Sequence, residues 1–119
     1  MKNQILFILF IILIISCKKK VNTCELDMCD QDRNTVMTAT NWSGTLGYFN
    51  NLRKWAVNVP IPNTIDGLRT CIICIDIPDS LKTMGRIVTF SGDLKENCDN
   101  IKPELKGQEI YFVNPTNIK

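Results

Sequence analysis

The chain opens with an apolar run of eleven residues, Ile5 to Ile15, which follows a single lysine and stops at Ser16-Cys17. A helix needs roughly 17 to 25 apolar residues to span a bilayer, so this run reads as a secretory leader. Removing residues 1–16 leaves roughly 100 residues, enough for one small domain with a marginal core. Export also places the chain in an oxidising compartment, where disulfides are the default use of cysteine. With six Cys in the sequence, this constrains the fold more than any other feature.

Composition narrows the chemistry. The chain has no His, which removes Ser-His-Asp and Cys-His catalysis and the usual zinc and haem ligand sets. The formal net charge is only +2, whereas a nucleic-acid-binding domain is expected to have a pI above about 9 and clustered basic residues. Beyond Lys18-Lys19-Lys20, ten basic residues face twelve acidic ones, so the body is slightly acidic. The positive charge therefore belongs to the segment beside the leader, where ammonium groups can meet anionic head groups. No nucleic-acid partner is expected.

The residues that end the apolar run, Leu13-Ile14-Ile15-Ser16-Cys17, resemble the bacterial lipobox. That resemblance implies cleavage before Cys17, diacylglycerol on its thiol and acylation of its amine. One acyl chain holds a protein to a membrane only marginally, whereas two or more anchor it stably. The implied partner is a lipid bilayer, reached through acylated Cys17. In many Bacteroidota lipoproteins an acidic run after the cysteine resembles a surface-export signal, and three lysines depart from that pattern. The expected location is the bacterial envelope, at the outer membrane facing the periplasm.

The expected organisation is a leader over 1–16, a lipidated Cys and polar tether over 17–34, and a small β domain over 35–119. Val21 to Asn34 is polar and acidic and carries Cys24 and Cys29, so it reads as a tether or as a disulfide-pinned segment. Strand signals dominate the rest. Thr35 to Thr40 is rich in β-branched residues. Ser43–Phe49 and Leu52–Val59 read as a hairpin around Asn50-Asn51, a pair able to take positive φ in a two-residue turn. Trp55, Val57 and Val59 fall on one face of the second arm. Leu68 to Ile77 is the most strand-like run, Pro78 to Met84 can make one helical turn stopped by Gly85, and Arg86–Ser91 and Glu109–Val113 complete the set. Short strands with regular turn signals predict an all-β fold, an antiparallel OB-like barrel or sandwich of about five or six strands.

Ile77-Pro78-Asp79-Ser80-Leu81-Lys82, then Gly85, then Val88-Thr89-Phe90-Ser91-Gly92 look like small Bacteroidota-type envelope lipoproteins with an OB-like β domain. Trp55 and the Ile65-Asp66-Gly67 turn belong to the same picture. The matching residues are turn and core types, so the resemblance carries over no catalytic residue and no cofactor. It implies a membrane-anchored, non-catalytic binding or structural module, with an envelope protein or a glycan as partner.

Apart from Cys17, five Cys remain, so at least one thiol is unpaired within the chain. Cys71-Ile-Ile-Cys74 has CxxC spacing, and the alternative function is a periplasmic thiol–disulfide oxidoreductase using that pair. A redox pair sits at a helix N-terminus, and a zinc knuckle needs a turn and four ligands. The residues around this pair instead continue a strand. Residues three apart in a strand are about 10 Å apart on opposite faces, beyond the roughly 7 Å that a disulfide tolerates. Cys71 lines up with Ile73, Ile75 and Ile77 and is the candidate free buried thiol. The disulfide candidates are then Cys24, Cys29, Cys74 and Cys98. Cys24 with Cys29 and Cys74 with Cys98 is the expected pairing; the competing one ties Cys24 or Cys29 to Cys74 or Cys98.

No metal site is expected, since the aspartates at 27, 30, 32, 76 and 79 suit turns and a solvated tether, and the Gly-bearing pattern of a Ca²⁺ loop is missing. Trp42, Tyr48, Phe49, Arg53 and Trp55 interleave aromatic and basic side chains, which suits a β core or stacking on a sugar or base. Trp42 is the aromatic expected to be partly exposed and able to stack on a ligand.

Overall fold

The computed structural model describes residues 23–98 and 100–119. The leader, Cys17 and the three lysines lie outside the described residues. Six strands form one sheet: β1 (Thr35–Phe49), β2 (Lys54–Pro60), β3 (Leu68–Ile73), β4 (Ile87–Lys95), β5 (Gln108–Val113) and β6 (Asn117–Ile118). Their order is β1-β2-β3-β5-β4-β6, and a further β1–β4 pairing closes the sheet into a ring. The fold is all-β and OB-like, as the strand spacing predicts. One pairing departs from the antiparallel expectation: β3 and β5 run parallel. Parallel neighbours need a crossover connection, and here β4 supplies it by pairing with β1 and then with β5.

β1 is one strand of fifteen residues rather than the two expected. It joins both runs because a bulge absorbs the mismatch. Ala39 pairs with Gly92 and Trp42 with Phe90, so two residues of β1 oppose Ser91 alone, with Asn41 at φ 49°. Bulges bend a strand and increase its twist, and this one lets β1 serve β4 with its first part and β2 with its second. Gly44 lies just before the handover at Thr45. A Cβ there would lie 2.6 Å from the Asn58 carbonyl oxygen and 2.7 Å from Val57 Cγ1.

The hairpin forms, but not with a two-residue turn. Phe49 pairs with Lys54, which leaves a four-residue loop, Asn50 to Arg53. It is closed by the Arg53 N–H donating to the Asn50 carbonyl at 3.3 Å. Arg53, not the Asn pair, takes the positive φ of 54°. A four-residue loop is commonly built round such an i to i+3 turn.

Strand β3 stops at Ile73, short of Ile77. The Cys74 N–H still donates to the Val113 carbonyl at 2.9 Å, but Ile75 is 45% exposed and only Ile77 returns to the core. A short 3-10 turn follows at Asp79–Leu81, and Gly85 takes φ 78°.

Two apolar clusters result. The barrel interior holds Leu46, Val57, Cys71, Ile73, Phe90 and Leu94, among others. The second lies on the opposite face of β2, β3 and β5, where Ala56, Ile72, Ile110 and Phe112 are buried. Its cover includes Met28, Cys29 and Ile101.

Two disulfides hold that cover, Cys24–Cys98 and Cys29–Cys74. The expected Cys24–Cys29 and Cys74–Cys98 pairs are therefore not formed, and the competing arrangement is the one present. The reason is burial. Cys74 shares its face of β3 with Ile72, and pairing with Cys29 draws Met28 over that apolar surface. Arg33 completes the closure and is only 1% exposed. Its guanidinium lies 6.0 Å from the Phe112 ring centroid, and Nη2 donates to Asn100 Oδ1 at 2.6 Å and to the Cys24 carbonyl at 3.4 Å. Residues 23–34 are thus a disulfide-pinned part of the folded unit.

Two outcomes are expected. Non-reducing peptide mapping will recover 24–98 and 29–74 cross-links, and Cys29→Ala/Cys74→Ala will lose about 4 kcal/mol of unfolding free energy in urea, given the 45-residue separation. Gly44→Ala, which overpacks the β1–β2 crossing, will cost about 1–3 kcal/mol in the same assay.

Candidate functional site

Side chains on the inner face of β1 and β2 run out of barrel before they run out of strand. Leu46 and Val57 are buried, and the next inward pair along, Tyr48 and Trp55, lies opposite each other beside the hairpin loop. Their rings meet edge to face, with centroids 5.2 Å apart and planes at 63°. Such pairing stabilises both rings beyond the area they bury. Trp55 still packs on the interior cluster, whereas Tyr48 is 36% exposed.

The connection from β3 to β4 supplies the third wall. The Gly85 N–H donates to the Leu46 carbonyl and the Leu46 N–H donates to the Arg86 carbonyl, both at 2.8 Å. This clamps residues 85 and 86 to β1 and leaves Met84, 63% exposed, beside the aromatic pair. Tyr48, Asn50, Trp55 and Met84 line an open depression of about 400 Å³. A second, of about 290 Å³, shares Tyr48 and Asn50 and adds Phe49, Asn51 and Glu104. A third, of about 170 Å³, passes the other side of Trp55 between Arg53, Lys54, Ile75 and Asp76. Trp55 is common to the first and third, and Tyr48 to the first and second.

A larger groove of about 580 Å³ runs along β1 and β4. Its charged groups are already committed: Asp93 Oδ1 accepts from Thr38 Oγ1 at 2.8 Å, and Lys95 Nζ donates to Thr35 Oγ1 at 2.7 Å. The aromatic mouth is the better candidate because, among the described residues, the Asn50 and Asn51 side chains have no hydrogen-bond partner and the Tyr48 and Trp55 rings contact each other rather than a charged group.

Trp42, the residue expected to stack on a ligand, is elsewhere and engaged. It is half-buried, edge-on to Phe90 at 6.3 Å. The Arg69 guanidinium lies over its ring at 5.3 Å. Arg69 pairs with Val59 near the far end of β2 from Trp55. Its Nε is 3.6 Å from Glu109 Oε2, which also accepts from the Tyr111 hydroxyl at 3.1 Å. Burial, then that carboxylate, raises the Tyr111 pKa. Trp42 is a packing residue whose ring face is taken, and the stacking candidates are Tyr48 and Trp55.

The cysteines of the CxxC spacing are separated in space and in chemistry. Cys74 is bonded to Cys29. Cys71 is free and points into the barrel interior, where burial pushes its thiol up to about 12 against a small opposing pull from Arg69. Such a thiol is protonated, and so a poor nucleophile, at any ordinary pH. The aspartates do turn work: Asp27 Oδ1 and Asp30 Oδ1 accept from the N–H groups two residues on, each at 2.9 Å. Lys82 Nζ lies 3.0 Å from Asp76 and 2.8 Å from Asp79, holding the Asp79 carboxyl below its usual range. Glu96 lies beside Cys24 and Cys98, but their sulfurs are joined to each other and are not thiolates able to hold a metal.

No protein-family model matches the sequence, and no curated protein is similar to it.

The Cys71 environment fixes a pH dependence. An unfolded chain ionises this thiol near 9.0, whereas the folded one holds its proton until about 12. The raised folded pKa means stability is fully present below pH 9 and is lost as pH rises from 9 to 12, at up to about 1.4 kcal/mol per unit. The expected readout is the difference in urea stability between the parent and Cys71→Ala, which shrinks across that window and is flat below it. Native protein at pH 8 will resist iodoacetamide.

Proposed function

We propose that the protein is a lipid-anchored, non-catalytic binding module of the bacterial envelope. Acylated Cys17 holds it to the bilayer, at the outer membrane on its periplasmic side, and the aromatic mouth meets its ligand. The observation that carries the binding reading is the Tyr48–Trp55–Met84 wall. Other large apolar side chains, such as Ile65 and Ile87, are exposed as well, but here two rings and a thioether converge on one depression. Ligand sites are typically concave, largely apolar, and edged by a few polar groups, and Asn50 and Asn51 fill the latter role. The anchor rests on Leu13-Ile14-Ile15-Ser16-Cys17 and on the length of the apolar run before it.

Three features support a non-catalytic reading over thiol–disulfide exchange. β3 runs straight through Cys71, so that thiol has no helix N-terminus to stabilise a thiolate. Cys71 is buried with a raised pKa. Cys74 is engaged by a residue from a different segment.

Metabolic labelling with an alkyne fatty-acid probe tests the anchor. The parent chain will carry the label and run as a processed species. Cys17→Ala will be unlabelled and will keep its leader. Unchanged labelling in that variant would sink the assignment.

A further inference from the structure

The chemistry of the mouth points to a class of ligand, an inference that rests on the binding reading above and deepens it. Two depressions share Tyr48 and Asn50 as a common ridge. The one toward Trp55 and Met84 is walled mainly by rings and a thioether. The one toward Asn51 and Glu104 is walled mainly by amide and carboxylate groups. An occupant of both must be rigid, with an apolar face and a hydrogen-bonding edge turned in different directions. Together the two volumes fall in the range of ordinary small-ligand sites, on the order of 300–1,000 Å³.

Charge restricts the occupant further. The ionic side chains lining these depressions and the adjoining one are Arg53, Lys54, Asp76 and Glu104, two of each sign. Such a balanced mouth has no net field to select an ion. A nucleic acid strand would require a positively charged groove along its backbone. An acyl chain would leave the Asn50, Asn51 and Glu104 groups facing hydrocarbon, at a cost for each polar group deprived of water. A hydroxyl is both donor and acceptor, and an Asn amide offers both in return. The matching chemistry is a sugar ring, which carries C–H groups on its face and hydroxyls round its rim.

We propose that the mouth binds a neutral pyranose unit of a glycan. One of the Trp55 and Tyr48 rings packs against the C–H face while the other, its plane turned 63° away, borders the sugar's edge, and their edge-to-face contact holds the wall in one orientation before the ligand arrives. Met84, unbranched and adaptable, lines the same depression and packs against the sugar beside the rings. Asn50, Asn51 and Glu104 take the hydroxyls.

The sequence has two Trp, so Trp42→Phe leaves Trp55 as the lone tryptophan, excited selectively over the two Tyr, without touching the mouth. The full chain, in detergent micelles, is titrated with neutral oligosaccharides of glucose, galactose, mannose and N-acetylglucosamine. The expected result is a saturable change in Trp55 emission with at least one of them. Trp55 also packs on the core, so the test variants are the exposed positions. Met84→Asp and Asn50→Ala are expected to weaken binding about tenfold or more with unfolding midpoints unchanged. No response to any of these sugars overturns the proposal. So does a response that both variants leave intact, or self-association that Met84→Asp abolishes, which would make a second copy the occupant. Fatty-acid labelling at Cys17 is read separately, so failure here is distinguishable from failure of the anchor.

Discussion

Two disulfides fasten an otherwise unremarkable polar segment over the outer face of a small sheet, and the fold depends on that clamp. β2, β3 and β5 carry apolar residues on both faces, with Val57, Cys71 and Ile73 turned inward and Ala56, Ile72 and Phe112 turned outward. One face closes on itself as the barrel interior. The other needs a cover, and no α-helix is present among the described residues to supply one. The cover is residues 23–34, whose composition gives it little reason to collapse by hydrophobicity alone. Ordering each of its residues costs about 1–2 kcal/mol of backbone entropy. Covalent bonds at Cys24 and Cys29 remove much of that freedom from the unfolded chain as well, so the segment stays down with few apolar contacts of its own.

The same clamp explains the fate of Arg33. Its position among acidic residues suggests a solvated side chain, yet it is buried against Phe112. A long guanidinium side chain covers apolar surface along its stem and face while its tip reaches polar partners, here through Nη2 alone, which donates to Asn100 and the Cys24 carbonyl. Arg33 therefore joins three pieces that sequence separates widely: the N-terminal cover, β5, and the loop after β4. The Asn97 side chain keeps that loop closed, donating to the Ile101 carbonyl at 2.7 Å and accepting from the Ile101 N–H at 3.1 Å.

Strand positions were legible wherever alternation was strict. Trp55, Val57 and Val59 read as one inward face and are one. Pairing was less legible, because local pattern says nothing about which strands become neighbours. The parallel β3–β5 contact follows from the crossover by β4, a property of the whole chain. The unbroken apolar run Cys71-Ile72-Ile73-Cys74 does contain a sign that both faces are buried, since such runs mark doubly covered strands. Closeness in sequence favours a Cys24–Cys29 loop, because the apolar outer face that Cys74 joins is assembled only when β2, β3 and β5 pair. The mouth was half legible: Tyr48, Arg53 and Trp55 were singled out with Trp42. What separates them is register, because Tyr48 lies opposite Trp55 at a strand end while Trp42 lies opposite Phe90 with Arg69 over its ring. Met84, in a loop between two strands, gave no signal at all.

Cover, mouth and proposed anchor are geometrically linked. Only six residues separate Cys17 from Cys24, a reach of at most about 25 Å at full extension, and Cys24 is bonded to the body through Cys98. Under the proposed anchoring, the folded unit is held close to the bilayer rather than swinging on the whole 17–34 segment. Pairing Cys24 with Cys29 would have left a longer free leash, ending only where β1 begins at Thr35. The observed connectivity shortens that leash by about half. It also tethers the barrel through the loop after β4 and the end of β3, not through β1. The hairpin of β1 and β2 carries neither disulfide, and under the proposed function it presents Tyr48 and Trp55 to the ligand.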